Sequence, residues 1–208
     1  MGKILQTTPV KLLVGILTSI PDLLPETETE LTALFGVIDA RSEIFPFVWT
    51  EYYNAEMGSP IYRRFLSFAG LIEAPTVVDA KIAANELETK MAEKYPCVRR
   101  PVNLDPGYME QSKIVLASTK NFFHRILIAR GIYAEVTLHY HDRRWKSFPW
   151  TFPDYGSETY HPFFTALRES YRRQLSDAGF GIRIPPQKPR RKCTHILFLE
   201  SGSGQGGL

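Results

Sequence analysis

The chain is nearly free of cysteine: Cys97 and Cys193 stand far apart in 208 residues, each without a second cysteine nearby. That argues against a disulfide framework and against a cysteine-built zinc site, and fits the reduced thiols of a cytoplasmic protein. No apolar run approaches the ~18 residues needed to cross a bilayer. KLLVGILTSI (11–20) has the composition of a signal-peptide core. Pro21–Asp22 follow it where a small-residue cleavage site would be needed, so it reads as part of the fold. A charge of one sign is missing as well. The formal +3 arises at residues 181–208, where Arg183, Lys188, Arg190, Arg191 and Lys192 face only Glu200. The other 180 residues hold 20 basic and 21 acidic side chains, which argues against a nucleic-acid groove on the body. Several catalytic signatures are absent too: no G-x-x-x-x-G-K-[ST] loop, no G-x-G-x-x-G after a strand, no G-x-S-x-G elbow and no H-E-x-x-H. The paired H-x-[ST] strands of two-histidine phosphoesterases are missing as well.

What is present is an ordinary globular composition, 44% hydrophobic. A chain this long buries roughly 70% of its unfolded surface in one core, so residues 1–180 are expected to form a single domain. Residues 181–208, rich in proline, arginine and glycine, are expected to be a flexible basic tail. VKLLVGILTS (10–19) suits a buried central strand. TETELTALFG (27–36) reads as a helix with Thr27 and Glu30 as a capping box and Gly36 as its stop. GVIDARSEIFPF (36–47) is a second strand, and WTEYYNAEMGSP (49–60) a loop or short helix. IYRRFLSFAGLI (61–72) is a third strand, with Tyr62, Arg64, Leu66 and Phe68 on one face and Arg63, Phe65 and Ser67 on the other. A helix from Thr76 to about Tyr95 carries an inward stripe of Ala80, Ala84, Leu87, Met91 and Tyr95. CVRRPVNL (97–104) is a fourth strand. The order strand, helix, strand, strand, helix, strand predicts an α+β fold with a ferredoxin-like split βαβ core, a mainly antiparallel sheet with helices on one face.

Beyond that core, SKIVLAST (112–119) fits a strand or a helix. FFHRILIARGIYAEVTLHYHD (122–142) reads as a hairpin with Ala129-Arg130-Gly131 as a three-residue loop. In that register Ile128 faces Ile132 and Arg125 stands opposite Glu135, whereas a two-residue loop would uncouple the charged pair. RRWKSFPWTFPDYG (143–156) is an aromatic, proline-broken segment. YHPFFTALRESYRRQLSDAGF (160–180) is a closing helix with Phe164, Leu167, Tyr171 and Leu175 on one stripe.

The phrases VNLDPGYM, SKIVLAST, HRI…GIYAEVTL and PWTFPDY, in that order, with RRFLSF and NELE upstream, resemble the prokaryotic domain-of-unknown-function 4416 family over about residues 8 to 175. The resemblance implies no activity, cofactor or site residue.

Candidate site residues therefore come from side-chain chemistry alone. Asp105-Pro106-Gly107 suits a turn, with Gly107 supplying the positive φ of a type II bend. A turn at a strand end can also present Asn103, Asp105 and Tyr108 to a ligand. Arg125 and Glu135 form a cross-strand ion pair that stabilises a sheet, or a site if a later segment encloses it. His124, expected on the apolar face, is a core histidine or an acid–base group. His139 and His141, two apart on a strand, have ligand-like spacing for zinc but lack an assured third ligand, so no metal is assigned. Trp150 and Asp154 can cap a pocket. Of the adjacent Arg63 and Arg64, only one can serve a given site, and Arg64 is taken as the anion ligand. Two readings remain open. One is an enzyme acting on a small anionic substrate, such as a phosphorylated metabolite or nucleotide, with Arg125 and Arg64 as anion ligands and Asp105, Glu135 or His124 as acid–base groups. The other is a non-catalytic ligand- or protein-binding module. A pocket gathering Asn103, Asp105, Arg125, Glu135 and Asp154 would favour the first. The cofactor is unknown.

Overall fold

A computed structural model of the chain describes residue 2 and residues 7–180. The expected basic tail, 181–208, lies outside the described residues.

β1 (Val10–Thr18) has all nine residues buried. A strand reads as a continuous apolar run when both faces are covered, and β1 is the axis of the sheet. Its neighbours are β4 (Ile61–Ile72) on one side and β5 (Val102–Met109) on the other, both antiparallel. β2 (Ile38–Arg41) pairs with the middle of β4 and β3 (Phe45–Phe47) with its start, so the expected strand over 36–47 is two short ones. β6 (Lys113–Ser118), β8 (Ile132–His141) and β7 (Ile126–Ala129) extend the sheet beyond β5, and β9 (Arg144–Ser147) pairs with β8. The result is a mainly antiparallel nine-stranded sheet in the order β2-β4-β1-β5-β6-β8-β7, an α+β architecture.

One face carries α1 (Leu24–Phe35) and α3 (Val77–Lys94). Leu24 and Leu31 of α1 and Ala80, Ala84, Leu87 and Met91 of α3 pack on Val14, Leu66, Val102 and Leu104. The expected inward stripe of α3 is buried through Met91, with Tyr95 packed partly buried against it. α1 starts three residues before the expected cap. Pro25 sits in its first turn, where a missing N–H costs nothing, and Thr27 is inside the helix, bonding the Leu23 carbonyl at 2.8 Å. The opposite face is covered as well. Phe164 and Leu167 of α5 (His161–Asp177) pack on Leu13, Phe65, Met109 and Leu138. The sheet is thus sandwiched between helices rather than covered on one side. Two four-residue helices, α2 (Asn54–Met57) and α4 (Pro153–Gly156), complete the set. No helix among the described residues is long and apolar enough to cross a membrane.

β5 overturns the expected turn. VNLDPGYM is one strand, paired with β1 from Val102 opposite Thr18 to Met109 opposite Lys11. Gly107 does not take a positive φ. Its small size serves a close approach instead: a Cβ there would lie 2.3 Å from the Val115 carbonyl oxygen of β6. Pairing of β5 with β6 covers only Gly107, Tyr108 and Met109. Before Gly107 the two strands part. In the parted stretch the Leu104 N–H donates to Glu88 at 2.8 Å, and its carbonyl accepts from Lys81 Nζ at 2.8 Å, both side chains coming from α3. Strand alternation points the nitrogen of Pro106 the same way as that of Leu104. A proline is tolerated here because its missing donor faces the opening and not a neighbouring strand.

The β7–β8 hairpin loses the expected pairing of Ile128 with Ile132 but keeps the register further from the bend by a different route. Arg130 and Gly131 both have positive φ, so the bend is a two-residue loop of the primed kind. Ala129 pairs with Ile132, while Leu127 still pairs with Tyr133 and Ile126 with Ala134. A bulge at Ile128 absorbs the extra residue. Asp142 and Arg143 make the same kind of bend into β9, a strand the sequence reading had left within an irregular segment.

Candidate functional site

Where β5 and β6 part, the structure opens a cavity of about 670 Å³, a size typical of small-molecule sites. Its wall takes Arg63 from β4, Asn103 and Asp105 from β5, Asp154 and Tyr155 from α4, Lys81 from α3, and Ser118, Lys120, Arg125 and Glu135 from the β6–β8 side. The segment after β3 adds Trp49, Tyr52 and Tyr53.

Arg63 is the centre of one side. It is buried, and its two terminal nitrogens donate to Asp105 Oδ2 at 2.9 Å and Asp154 Oδ2 at 3.0 Å. Phe47, Phe65 and Tyr155 surround the guanidinium with ring centroids 5.4–5.6 Å away. Burial works against its charge, but Asp154, Tyr155 and Asp105 outweigh that and raise its pKa above the ordinary arginine value. Close packing leaves no room for a side chain on the neighbouring strand: a Cβ on Gly15 would lie 2.9 Å from Arg63 Nη1 and 3.0 Å from the Tyr155 hydroxyl.

The two carboxyls of this triad are driven apart. Asp154 is almost fully buried, and that burial, with Asp105 nearby, lifts its pKa against the pull of Arg63. For Asp105 burial also raises the pKa, but Arg63, Lys81 and the hydrogen bonds from Arg63 and Asn103 prevail and hold it below the usual range. Asn103 Nδ2 donates to Asp105 Oδ2 at 2.9 Å. Both protein donors thus land on Oδ2, while Asp105 Oδ1 accepts from none of the described residues. Two neighbouring carboxyls whose pKa values are pushed in opposite directions are the arrangement general acid–base chemistry uses.

The facing side is built on Glu135, which is buried in β8. Arg125 Nε donates to its Oε2 at 2.7 Å, His124 Nε2 lies 2.9 Å from the same oxygen, and the Thr137 hydroxyl donates to Oε1 at 3.1 Å. Arg125 also bonds the Ser118 hydroxyl at 3.0 Å and the Lys120 carbonyl at 2.9 Å, which fixes the chain after β6 against the hairpin. Two further cations, buried Lys81 and exposed Lys120, stand at the cavity wall with no carboxylate in direct contact among the described residues, although Asp105 and Glu88 feel the charge of Lys81 through space. Lys81 is buried with its ammonium on the Leu104 carbonyl, and Lys120 reaches the Tyr52 hydroxyl at 3.2 Å; neither has an ion-pair partner among the described residues.

The structure therefore brings Asn103, Asp105, Arg125, Glu135 and Asp154 to one cavity wall. Other expected residues stand elsewhere. Arg64 points to the opposite face of β4 and bridges Glu28 at 3.1 Å, so it is not at the cavity as expected; Arg63 lines the wall instead. Tyr108 also faces the other side of the sheet, packed against a cluster of Val77, Val78, Ala117 and Ile132. His124 is not within the apolar core but behind Glu135, its ring stacked on Trp150 at 5.2 Å. Trp150 stacks in turn on Phe148 and donates to the Val136 carbonyl at 3.0 Å, bracing the hairpin without lining the cavity. His139 packs on Phe148 and His141 is exposed beside Asp142, so the two do not converge with Glu135. No group of three or more metal-ligating side chains is found among the described residues. Lys81 was missed. Its signal was a lysine, with Glu88 seven residues on, flanking an otherwise apolar helical stripe.

A family model described as a domain of unknown function (DUF4416) matches residues 8–171. That agrees with the resemblance seen over about residues 8 to 175. No curated protein and no solved structure matches the chain.

Proposed function

We propose a function for this chain, which belongs to the DUF4416 family, from its cavity: it is an enzyme that binds a small anionic substrate and uses Asp105 and Asp154 for acid–base chemistry. The observation that carries the reading is the buried ammonium of Lys81 at the cavity wall, which donates to a backbone carbonyl and has Asp105 and Glu88 only at longer range, with no carboxylate in contact among the described residues. A buried charge is costly unless something opposes it, and an anionic ligand would do so. Lys120 supports the same reading from the facing side. In this scheme Lys81 and Lys120 hold the anion, Asp105 serves as base through its free Oδ1, and Asp154, whose pKa burial raises, serves as the partner acid. Arg63 positions both carboxyls, and Glu135 positions Arg125.

A second reading, a ligand-binding module without catalysis, draws on one feature: Asp105 and Asp154 each already bond Arg63 and can be purely structural. Two finer statements belong with this proposal. The order β2-β4-β1-β5, all antiparallel with α1 and α3 on one face, supports a ferredoxin-like split βαβ core. The scarcity of cysteine supports a cytoplasmic protein.

The test is a thermal-shift screen of the purified chain against phosphate esters, nucleotides, carboxylates and divalent metals. A ligand at 100 times its Kd adds roughly 2.7 kcal/mol of stability. Anionic compounds are expected to raise the melting temperature and Lys81→Met to remove the response. A turnover assay on the hits then separates the readings: product formation lost in Asp105→Asn supports the enzyme, and binding without turnover supports the module. Silence across the panel overturns both.

A further inference from the structure

We infer that the ligand is a nucleoside 5′-monophosphate or a close analogue, a planar heterocycle joined through a vicinal diol to a phosphate. This rests on the anion-binding reading above and names its substrate class. Three separate features of the wall call for the three parts of such a molecule.

The first is the aromatic side of the mouth. Trp49 and Tyr52 line the cavity yet remain 40% and 66% exposed. Large rings left open to solvent at a cavity wall offer faces on which a flat ring can stack, and stacking does not depend on which base is present. Lys120 already lies over the Tyr52 ring, 5.3 Å from its centroid, so a cation and a ring face occur together at that point.

The second feature is Asp105 Oδ1. Its partner oxygen takes both protein hydrogen bonds, which leaves a fixed, ionised acceptor facing the cavity. A carboxylate oxygen held in this way can accept from a ribose hydroxyl, as acidic residues do for the 2′-OH in dinucleotide sites. The third is the cationic side, where Lys81 and Lys120 have no carboxylate in contact among the described residues and the Ser118 hydroxyl, bonded by Arg125, also lines the cavity. Lysine binds phosphate as a point charge and does not need the paired geometry of arginine. A carboxylate metabolite would use the cations but not the rings. A sugar phosphate would use the cations and Asp105 but leave the rings uncovered. A volume of about 670 Å³ accommodates all three parts at once.

The experiment is titration calorimetry of the full chain with adenosine 5′-monophosphate, guanosine 5′-monophosphate, their 2′-deoxy forms, ribose 5-phosphate and adenosine. The monophosphates are expected to bind at least tenfold more tightly than ribose 5-phosphate and than adenosine, and the deoxy forms more weakly than the ribo forms. Trp49→Leu, at an exposed position, is expected to weaken the monophosphates by about tenfold and to leave ribose 5-phosphate unchanged, whereas Tyr52→Leu, which also removes the partner of Lys120, is expected to weaken both. Ribose 5-phosphate binding as tightly as the monophosphates overturns the inference while leaving the anion site intact. Adenosine binding as tightly as its monophosphate overturns it as well. If none of these compounds binds but other anions do, the inference falls alone; if no anion binds, the proposed function falls with it.

Discussion

Two arginine–carboxylate clusters face each other across the cavity, and they are built in opposite ways. Arg63 joins carboxyls 42 and 91 residues away in sequence, on β5 and α4, and is enclosed by three aromatic rings. Arg125 joins Glu135 only ten residues away and shares its remaining donors with Ser118 and the Lys120 carbonyl. The first is a long-range knot that ties three elements together, and without it Asp154 has no other cation in contact among the described residues. The second is a local pair within a hairpin, where His124 and Thr137 remain on the carboxylate if the arginine is lost. The cluster that closes the fold should therefore be much less tolerant of change than the one that trims the cavity.

The sharpest way to break this comparison is to remove each arginine in turn. Arg63→Met leaves the buried carboxyl of Asp154 without its counter-charge and weakens the hold on half-buried Asp105, and is expected to cost about 3–5 kcal/mol, measured by urea unfolding. Gly107→Ala comes next. Its Cβ would meet backbone at the fork of β5 and β6, and strain of this kind costs about 1–3 kcal/mol in the same measurement. Arg125→Met should cost about 1–3 kcal/mol, at the lower end because Glu135 keeps two other partners. Arg64→Met breaks only the partly exposed bridge to Glu28 and should cost no more than about 1 kcal/mol, with ligand binding unchanged. An Arg125 variant as damaged as the Arg63 variant would remove the distinction.

pH sharpens the same contrast. Asp105 titrates below its unfolded value, so its ionised form favours the folded state. That contribution is complete above about pH 3.9, the ordinary aspartate value, and is lost as pH falls through the lower folded value. Asp154 has the opposite sign: its raised pKa favours the folded state most at low pH and loses that contribution as pH rises through the folded value. Asp105→Asn should thus cost more stability at pH 6 than at pH 3, read from unfolding midpoints at the two pH values. An equal cost at both would mean that the carboxylate is not held ionised by Arg63 and Lys81.

The same contrast explains how much was legible in the sequence. The Arg125–Glu135 pair was accessible because a hairpin fixes its register locally, and the pairing survived even though the bend is Arg130-Gly131 with a bulge at Ile128. The faces of β4 were also readable from strand alternation, which placed Arg63 and Arg64 on opposite sides. Which of the two meets a carboxyl depends on α4 and β5, and nothing local indicates that. Asp105-Pro106-Gly107 misled for a physical reason. Proline and glycine mark turns when a strand has neighbours on both sides, but here proline faces an opening and glycine faces a backbone at close range. The fork that makes those residues suitable is a tertiary feature, and so is the entry of Lys81 from the helical face.

The central claim is that the parted strands expose a buried ammonium whose role is to hold an anion. Titration calorimetry of adenosine 5′-monophosphate into the wild-type chain and the Lys81→Met and Arg64→Met variants tests it most directly, with thermal melts alongside. The account predicts binding by the wild type and Arg64→Met, and at least tenfold weaker binding by Lys81→Met while that variant melts as a folded protein. Equal affinity in all three folded proteins would contradict it.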